Sequence, residues 1–366
     1  MKRLTQRLLA IVAIIAPLAV AVAAPARATE PAAQSGVIAM RSNPCLLAKY
    51  GHGQPCQVPL LPESKDTSQL IAAHLARAQF FIAMAELPKA LSEADTALEL
   101  DPNNAPIRHL AGRLAMSMGD YPRAERDLAT ALQQSPDDPN IAASNAALME
   151  LQQNFDAALD TFNGILARHP DHAFSRLARA KLFLSLAQPH NAIADFDVLL
   201  AGDGTDTALL PLRAAAYLQM NEPERAIADY TKALAEHPEQ LELVMGRATA
   251  SMLAGDDNAA LADFDTVLGP VGGTSRYAIG GDLLAKYRTQ RAFVFVHLKR
   301  FADAATEMAS ALDAGGKSAV LRAQIFLRHN GFPQTPLDGR DSDGLRQSLQ
   351  ACFGLNSCFQ RISEEL

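Results

Sequence analysis

The chain has no tryptophan, and aromatic residues make up only 6% of its 366 residues. A core built on large rings is therefore excluded. The apolar fraction of 49%, in which alanine dominates, favours helices that pack closely through small side chains. Clusters of basic residues are also lacking, and the net charge is −7, so a nucleic acid is not expected as a partner. These features predict an all-α protein.

The one long apolar run stands at the N-terminus. Lys2, Arg3 and Arg7 precede apolar residues 8–24, and a small-residue triplet that ends at Ala28 follows. This order is typical of a secretory signal, so we predict cleavage after Ala28 and a periplasmic or secreted mature protein without a membrane anchor. The alternative is an uncleaved anchor, because such a run is at the short limit of a membrane span.

Small residues recur with a period of 34 in the region that begins at residue 71. One such residue anchors the second helix of each predicted unit, and a filler residue, usually larger, follows four positions later, on the same helical face. The anchors are Ala90, Ala124, Ala158, Ala192, Ala226, Ala260 and Ala304. The first six are spaced by 34 residues and the last by 44, which indicates a ten-residue insertion before the seventh unit.

This pattern resembles the tetratricopeptide repeat family, whose unit is a helix-turn-helix of 34 residues. The resemblance implies an all-α, right-handed superhelical solenoid of seven repeats with a small C-terminal helical cap. The predicted organisation is a signal peptide at 1–28, a flank at 29–70, six contiguous repeats at 71–274, an inserted loop at 275–284, a seventh repeat at 285–318, and a cap or small module at 319–366.

The resemblance also implies a concave groove, lined by the first helix of each repeat, that holds a peptide or helix of a partner protein. The predicted lining is mixed and largely apolar, with two isolated cations and several methionines, which adapt to varied partners. It comprises His109, Arg113, Met116, Phe174, Lys181, Met245, Met252 and Phe293. The first hypothesis is thus an exported scaffold for protein–protein interactions in the cell envelope.

The residues that follow the repeats suggest an alternative function. A Gly-aromatic pair, an apolar-Asp-Gly turn and a helix with small and apolar residues follow one another in the order that is typical of the core of small peptidoglycan-binding modules, which this segment resembles. The glycan-contacting candidates that this resemblance implies are Phe332, Leu337, Asp338 and Gly339. The second hypothesis is therefore a cell-wall-associated protein that binds peptidoglycan, while the competing interpretation is that this segment only caps the last repeat.

Four cysteines flank the repeats, at Cys45, Cys56, Cys352 and Cys358. An exported compartment permits disulfides, and two local pairs are favoured because the ends of a solenoid lie far apart, although all three connectivities remain open. The spacings offer no zinc knuckle. A nucleophile elbow, a zinc-protease helix and a strand-borne glycine loop are missing too, so we predict no enzymatic activity, no metal site and no cofactor.

Overall fold

The computed structural model describes residues 57–63, 66–201, 207–329 and 331–354, and within these ranges every regular element is a helix. The α-helices are α1 (Thr67–Ala83), α2 (Leu87–Leu100), α3 (Ala105–Ser117), α4 (Tyr121–Gln134), α5 (Pro139–Leu151), α6 (Phe155–Arg168), α7 (Ala173–Ser185), α8 (Pro189–Leu200), α9 (Leu210–Gln219), α10 (Pro223–Glu236), α11 (Leu241–Ala254), α12 (Asp257–Leu268), α13 (Gly281–His297), α14 (Phe301–His329) and α15 (Asp343–Gly354). A short 3₁₀-helix, Thr207–Leu209, precedes α9.

The described residues fall into two compact units that divide after Leu182, within α7. In the first unit α1 packs on α2, α3 on α4 and α5 on α6. In the second unit α9 packs on α10, α11 on α12 and α13 on α14. Each of these pairs is a helix hairpin joined by a short turn, which is the repeating element that the sequence predicts.

The predicted small residues form the contacts between paired helices. All seven anchors on the second helices are fully buried. The corresponding small residues of the first helices are also fully buried, at Ala78, Ala146, Ala180, Ala214, Ala248 and Ala292, and Gly112 is buried as well. Because a small side chain on each helix lets the two backbones approach closely, larger residues such as Phe162, Phe196 and Phe264 fill the space beside the crossing. The all-α repeat fold is thus confirmed.

One type of turn closes every hairpin. A residue with positive φ follows the first helix of each repeat within two positions. These residues share the spacing of the anchors: Ala85, Gly119, Gln153, Ala187, Asn221, Gly255 and Lys299. The backbone N–H of the next residue donates to the carbonyl five positions back, as in Glu86 to Phe81 (2.8 Å) and Asp256 to Ser251 (2.9 Å). This bond is that of a Schellman C-cap, which satisfies a carbonyl that the helix end leaves open.

The insertion before the seventh repeat is ordered around a buried ion cluster. The side chains of Arg291 and Glu307 are fully buried, that of Arg288 is 4% exposed, and Arg291 Nη2 lies 2.6 Å from Glu307 Oε1. The loop carbonyls of Gly269 and Gly273 accept hydrogen bonds from the two arginines, while the N–H of Gly272 donates to Glu307 (2.7 Å). The cluster therefore holds the inserted loop onto α14, and α13 already begins at Gly281, inside the predicted loop.

The C-terminal residues continue the hydrophobic core of the seventh repeat. The backbone of α14 breaks at Gly316 (φ 54°, ψ −147°), and the part after this break packs with α15. Leu345, Leu349 and Cys352 of α15 are buried in the same cluster as Leu312 and Leu327. This segment thus covers the apolar end of the last repeat, as a solenoid cap does.

Several predictions fall wholly or partly outside the described residues. The signal peptide, most of the N-terminal flank, Cys45, Cys56 and Cys358 all lie there. Cys352 is buried and is not a free cysteine, but its pairing remains a prediction. Among the described residues, no helix combines the length and the apolar character needed to cross a membrane.

Candidate functional site

In the first unit, the first helices of successive repeats lie side by side. His109 on α3 is hydrogen-bonded through Nε2 to Ser144 Oγ on α5 (2.7 Å). His172, directly before α7, is hydrogen-bonded to Asn140 on α5 (3.2 Å). The three helices therefore present one continuous surface, which carries the residues of this unit that were predicted to line the groove.

We call this surface the first-helix face and define it by His109, Arg113, Glu150, Phe174 and Lys181. Arg113 is exposed, Phe174 is 37% exposed, and the other three side chains are half-buried. The ring of Phe174 makes an edge contact with the imidazole of His172 (centroids 6.4 Å apart). The face thus contains an accessible aromatic ring and an arginine, two residue types that are enriched at protein-binding surfaces.

Glu150 and Lys181 are opposite charges on neighbouring first helices that do not form an ion pair. Burial raises the pKa of the Glu150 carboxyl, while the charge of Lys181 partly lowers it. Burial likewise lowers the pKa of the Lys181 ammonium, against the effect of Glu150. Within the described part of the chain neither side chain has a hydrogen-bond partner. Both groups are partly desolvated, and their mutual attraction offsets only part of the resulting cost in free energy.

His109 is held neutral on this face. Burial, followed by the charge of Arg113, lowers the pKa of the imidazole to about 4. At neutral pH the ring is therefore an uncharged hydrogen-bond partner of Ser144, whose side chain is buried. The positive charge of the face at neutral pH comes from Arg113 and Lys181.

This imidazole predicts a specific loss of stability in acid. An unfolded histidine titrates near pH 6.5, so between about pH 6.5 and 4 the unfolded chain binds a proton at residue 109 that the folded chain does not. Folding stability should fall through this window by roughly 1 kcal/mol, after allowance for the partial exposure of the ring. We expect His109→Gln to reduce this pH dependence, as measured by urea unfolding at pH 7, 5.5 and 4.5.

The control is His190→Gln, because His190 is exposed on α8. That variant should keep the pH dependence of the parent protein. Identical pH profiles for His109→Gln and the parent would contradict the assignment of this titration to His109.

Two of the predicted groove residues are not on an open surface. Met116 is 7% exposed and packs with Leu128 and Leu148, and Met245 on α11 is 2% exposed. The first helices pack closely enough at these positions that the side chains fill the core, so we correct their assignment from ligand contact to packing. Met252 and Phe293, in the second unit, are half-buried, and their role in binding stays a prediction.

The Asp-Gly turn that resembles a glycan module is bound by its own chain. The amide of Gln324, which is fully buried, donates to Asp338 Oδ1 (2.8 Å) and accepts from the N–H of Gly339 (3.0 Å). Gly339 has φ +66°, and a Cβ there would lie 2.7 Å from Cγ of Lys317. Asp338 and Gly339 thus have a structural role in docking the turn on α14, whereas Leu337 is 47% exposed.

A surface cavity of about 460 Å³ lies beside this turn. Its lining is uncharged and combines apolar and hydroxyl groups. The lining residues are Gly331, Phe332, Pro333, Gln334, Thr335, Pro336, Ser342, Gly344, Leu345 and Ser348. Of the four predicted glycan-contacting residues, only Phe332 lines this cavity. In the described residues, no group of three or more His, Cys, Asp or Glu side chains is placed to hold a metal ion.

Glu150 is not among the residues predicted from the sequence. The signal was available, because Glu150 occupies the same place in the 34-residue register as Met116 and Met252. A charged side chain at a position that is apolar in the other repeats is not explained by packing between helices. In a repeat array, such a residue is a candidate for contact with a partner.

Comparison with protein families agrees with this geometry. One tetratricopeptide repeat family model matches residues 81–143 and 115–182, and a second matches residues 212–273. The chain contains tetratricopeptide repeats. The matched segments contain α2 to α6 and α10 to α12 in full, and the family resemblance predicted from the alanine spacing is thereby confirmed. No curated protein matches the chain.

Several solved repeat structures are similar to the chain at low identity. A tetratricopeptide repeat protein from Parabacteroides merdae is 19% identical, with 67% of this chain and 93% of that chain covered and a TM-score of 0.48. A repeat protein from Thermus thermophilus is 21% identical, with coverages of 50% and 99% and a TM-score of 0.43. PilW, described as a type IV pilus biogenesis factor, is 16% identical, with coverages of 54% and 91% and a TM-score of 0.49.

Proposed function

We propose that the protein is a binding scaffold whose first-helix face holds a segment of a partner protein. The observation that carries this proposal is the pair Glu150 and Lys181. Both are half-buried, and neither has a hydrogen-bond partner in the described residues. Both groups are already partly desolvated in the free protein. A partner that hydrogen-bonds to them would therefore gain these bonds with a smaller desolvation cost on binding.

The surroundings of this pair indicate the chemistry of the partner. Phe174 offers an exposed ring to an apolar side chain, and Arg113 adds a further cation. An extended or helical segment with an apolar residue beside polar ones would fit these groups. We do not propose a catalytic role for the face.

Phe174→Ala combined with Lys181→Gln should weaken partner binding at least tenfold, because aromatic anchors and desolvated charges are frequent hot spots. Glutamine is chosen because it removes the charge without placing two carboxylates together. The measurement is quantitative capture of proteins from a cell-envelope extract, with the melting temperature recorded to show that the variant is folded.

The matched control combines Met118→Ala with Arg126→Gln. Met118 is 39% exposed and directly follows α3, and Arg126 is exposed on the second helix α4. Neither is one of the residues that define the first-helix face. A specific partner should be captured by the parent and the control, and depleted with the double variant. Equal capture by all three proteins would contradict the proposal.

We also propose that the protein is exported to the periplasm or secreted. The proposal rests on the basic residues, the apolar run and the small-residue triplet that end at Ala28. Intact-mass analysis of the protein expressed with its full N-terminus should show a chain that begins at Thr29 in the exported fraction. A full-length chain that stays with the membrane would support the anchor instead.

The cavity beside the C-terminal turn supports a second candidate function, which is binding of peptidoglycan. Uncharged hydroxyl and apolar groups around Phe332 are a suitable lining for a glycan. Pro333→Ala with Gln334→Ala, both exposed, should reduce pelleting with purified peptidoglycan, whereas Gln350→Ala, which is exposed on α15 and does not line the cavity, should not. Equal pelleting of both variants and the parent would exclude this cavity as the glycan site.

A further inference from the structure

An arginine recurs at one position of the first helix with the spacing of the repeats. It is found in five repeats, at Arg77, Arg179, Arg213, Arg247 and Arg291, the last displaced by the ten-residue insertion. An acidic residue stands at the matching position of the second helix of the same five repeats, at Glu93, Asp195, Asp229, Asp263 and Glu307. A charge pattern that is kept in register with the core suggests a shared structural role.

In the fifth and sixth repeats the arginine is bound by the acid of the same repeat. Arg213 donates from Nε and Nη2 to the two oxygens of Asp229 (2.9 and 2.7 Å). Arg247 binds Asp263 in the same way (2.8 Å for both bonds). The acid side chains are only 8% and 11% exposed. Two parallel bonds fix the plane of the guanidinium, so the remaining nitrogen, Nη1, points in a defined direction.

The third guanidinium nitrogen, Nη1, donates a hydrogen bond to a carboxylate of the preceding repeat at two junctions. Arg213 Nη1 donates to Asp197 (2.6 Å), which lies on α8 of the fourth repeat. Arg291 Nη1 donates to Asp265 (2.9 Å) on α12 of the sixth repeat. At these two junctions one arginine therefore binds carboxylates of two consecutive repeats.

The junction between the fifth and sixth repeats lacks this second carboxylate. The position that holds Asp197 and Asp265 in the neighbouring repeats is Thr231 here. Arg247 still binds Asp263, but its Nη1 has no hydrogen-bond partner in the described part of the chain. Thr231 is exposed on α10.

We infer that this arginine is a staple between consecutive repeats, complete at the fourth-to-fifth and sixth-to-seventh junctions and open at the fifth-to-sixth junction. An isolated surface ion pair contributes little, because two flexible side chains must be ordered to form it. The guanidinium of the staple is already ordered by its own repeat. A carboxylate from the preceding repeat therefore joins a network rather than forming a lone pair, and it resists separation of the two repeats.

Thr231→Asp should complete the open staple. We expect backbone amides of α10 and α11 to gain about two- to fivefold protection from hydrogen exchange, with a rise of about 1–3 °C in the melting temperature. The matched control is Thr266→Asp, because Thr266 is also exposed on a second helix but lies one residue beyond the staple position. The control should give no such protection.

Two further variants test the staple itself. In the Arg247→Gln background, Thr231→Asp should lose its benefit, since the new carboxylate then has no guanidinium to bind. Asp197→Thr should lower protection in α8 and α9 by a similar factor. Equal effects of Thr231→Asp and Thr266→Asp, or a gain that persists without Arg247, would overturn the inference.

Discussion

Replacing Glu307 by glutamine should lower the free energy of unfolding by about 3–5 kcal/mol, the range for breaking a buried ion pair from one side. The carboxylate is fully buried between Arg288 and Arg291. Glutamine has nearly the same shape, but it leaves the two cations with only the half-exposed Asp265 as counter-charge. The uncompensated charge in the core is what makes the substitution costly.

The matched control is Asp303→Asn on the same helix. Asp303 pairs with Arg300 (2.6 Å), and both side chains are substantially exposed. Such a surface pair contributes at most about 1 kcal/mol. Because repeat arrays need not unfold in a single step, hydrogen exchange in α13 and α14 should accompany urea titration. If Glu307→Gln and Asp303→Asn lowered the free energy of unfolding equally, burial would not determine how much an ion pair contributes to stability here.

The same cluster should not tolerate replacement by apolar residues. Buried ion triads in other proteins can often be exchanged for hydrophobic side chains without loss. Here, however, the arginines also bind the carbonyls of Gly269 and Gly273, and Glu307 binds the N–H of Gly272. An apolar replacement would leave these loop groups buried without partners. The charged side chains are thus needed to satisfy backbone groups of the inserted loop, in addition to stabilising the repeat.

The repeat fold could be predicted from the sequence because it depends on side-chain size at a fixed period. A crossing of two helices requires small residues such as Ala90 and Ala124. Because the sequence has seven equivalent anchor positions, each anchor can be compared with six others. The order of the inserted loop could not be predicted. It depends on a contact between Gly272 and Glu307, residues 35 positions apart with no local pattern to connect them.

The candidate site was only partly accessible to the same reasoning. The register indicates which positions share a face, so His109, Phe174 and Lys181 were found. It does not indicate how closely neighbouring helices approach, and for this reason Met116 and Met245 were assigned to a surface although they are buried. The charges of single positions do not reveal the arginine staple either. It becomes apparent only when equivalent positions of successive repeats are compared, because its spacing is that of the anchors.

Gly246→Ala should destabilise the second unit by about 2–3 kcal/mol, near the upper end of the usual cost of overpacking. A Cβ at this position would lie 2.5 Å from Cε1 and 2.6 Å from Cζ of Tyr230. That ring is only 8% exposed, so it has little room to move away. The measurement is urea unfolding together with hydrogen exchange in α10 and α11.

Gly164→Ala is the matched control, and we expect it to stabilise the protein although the chemical change is the same. Gly164 lies inside α6, and a Cβ there would meet no atom within 4 Å. Alanine should therefore stabilise that helix by about 0.5–1 kcal/mol, because it restricts the unfolded chain more than glycine does.

Tyr230→Leu combined with Gly246→Ala should recover part of the loss, since the smaller side chain vacates the space that the new methyl group needs. If Gly246→Ala behaved like Gly164→Ala, close approach of α11 to Tyr230 would not be the reason for glycine at this position.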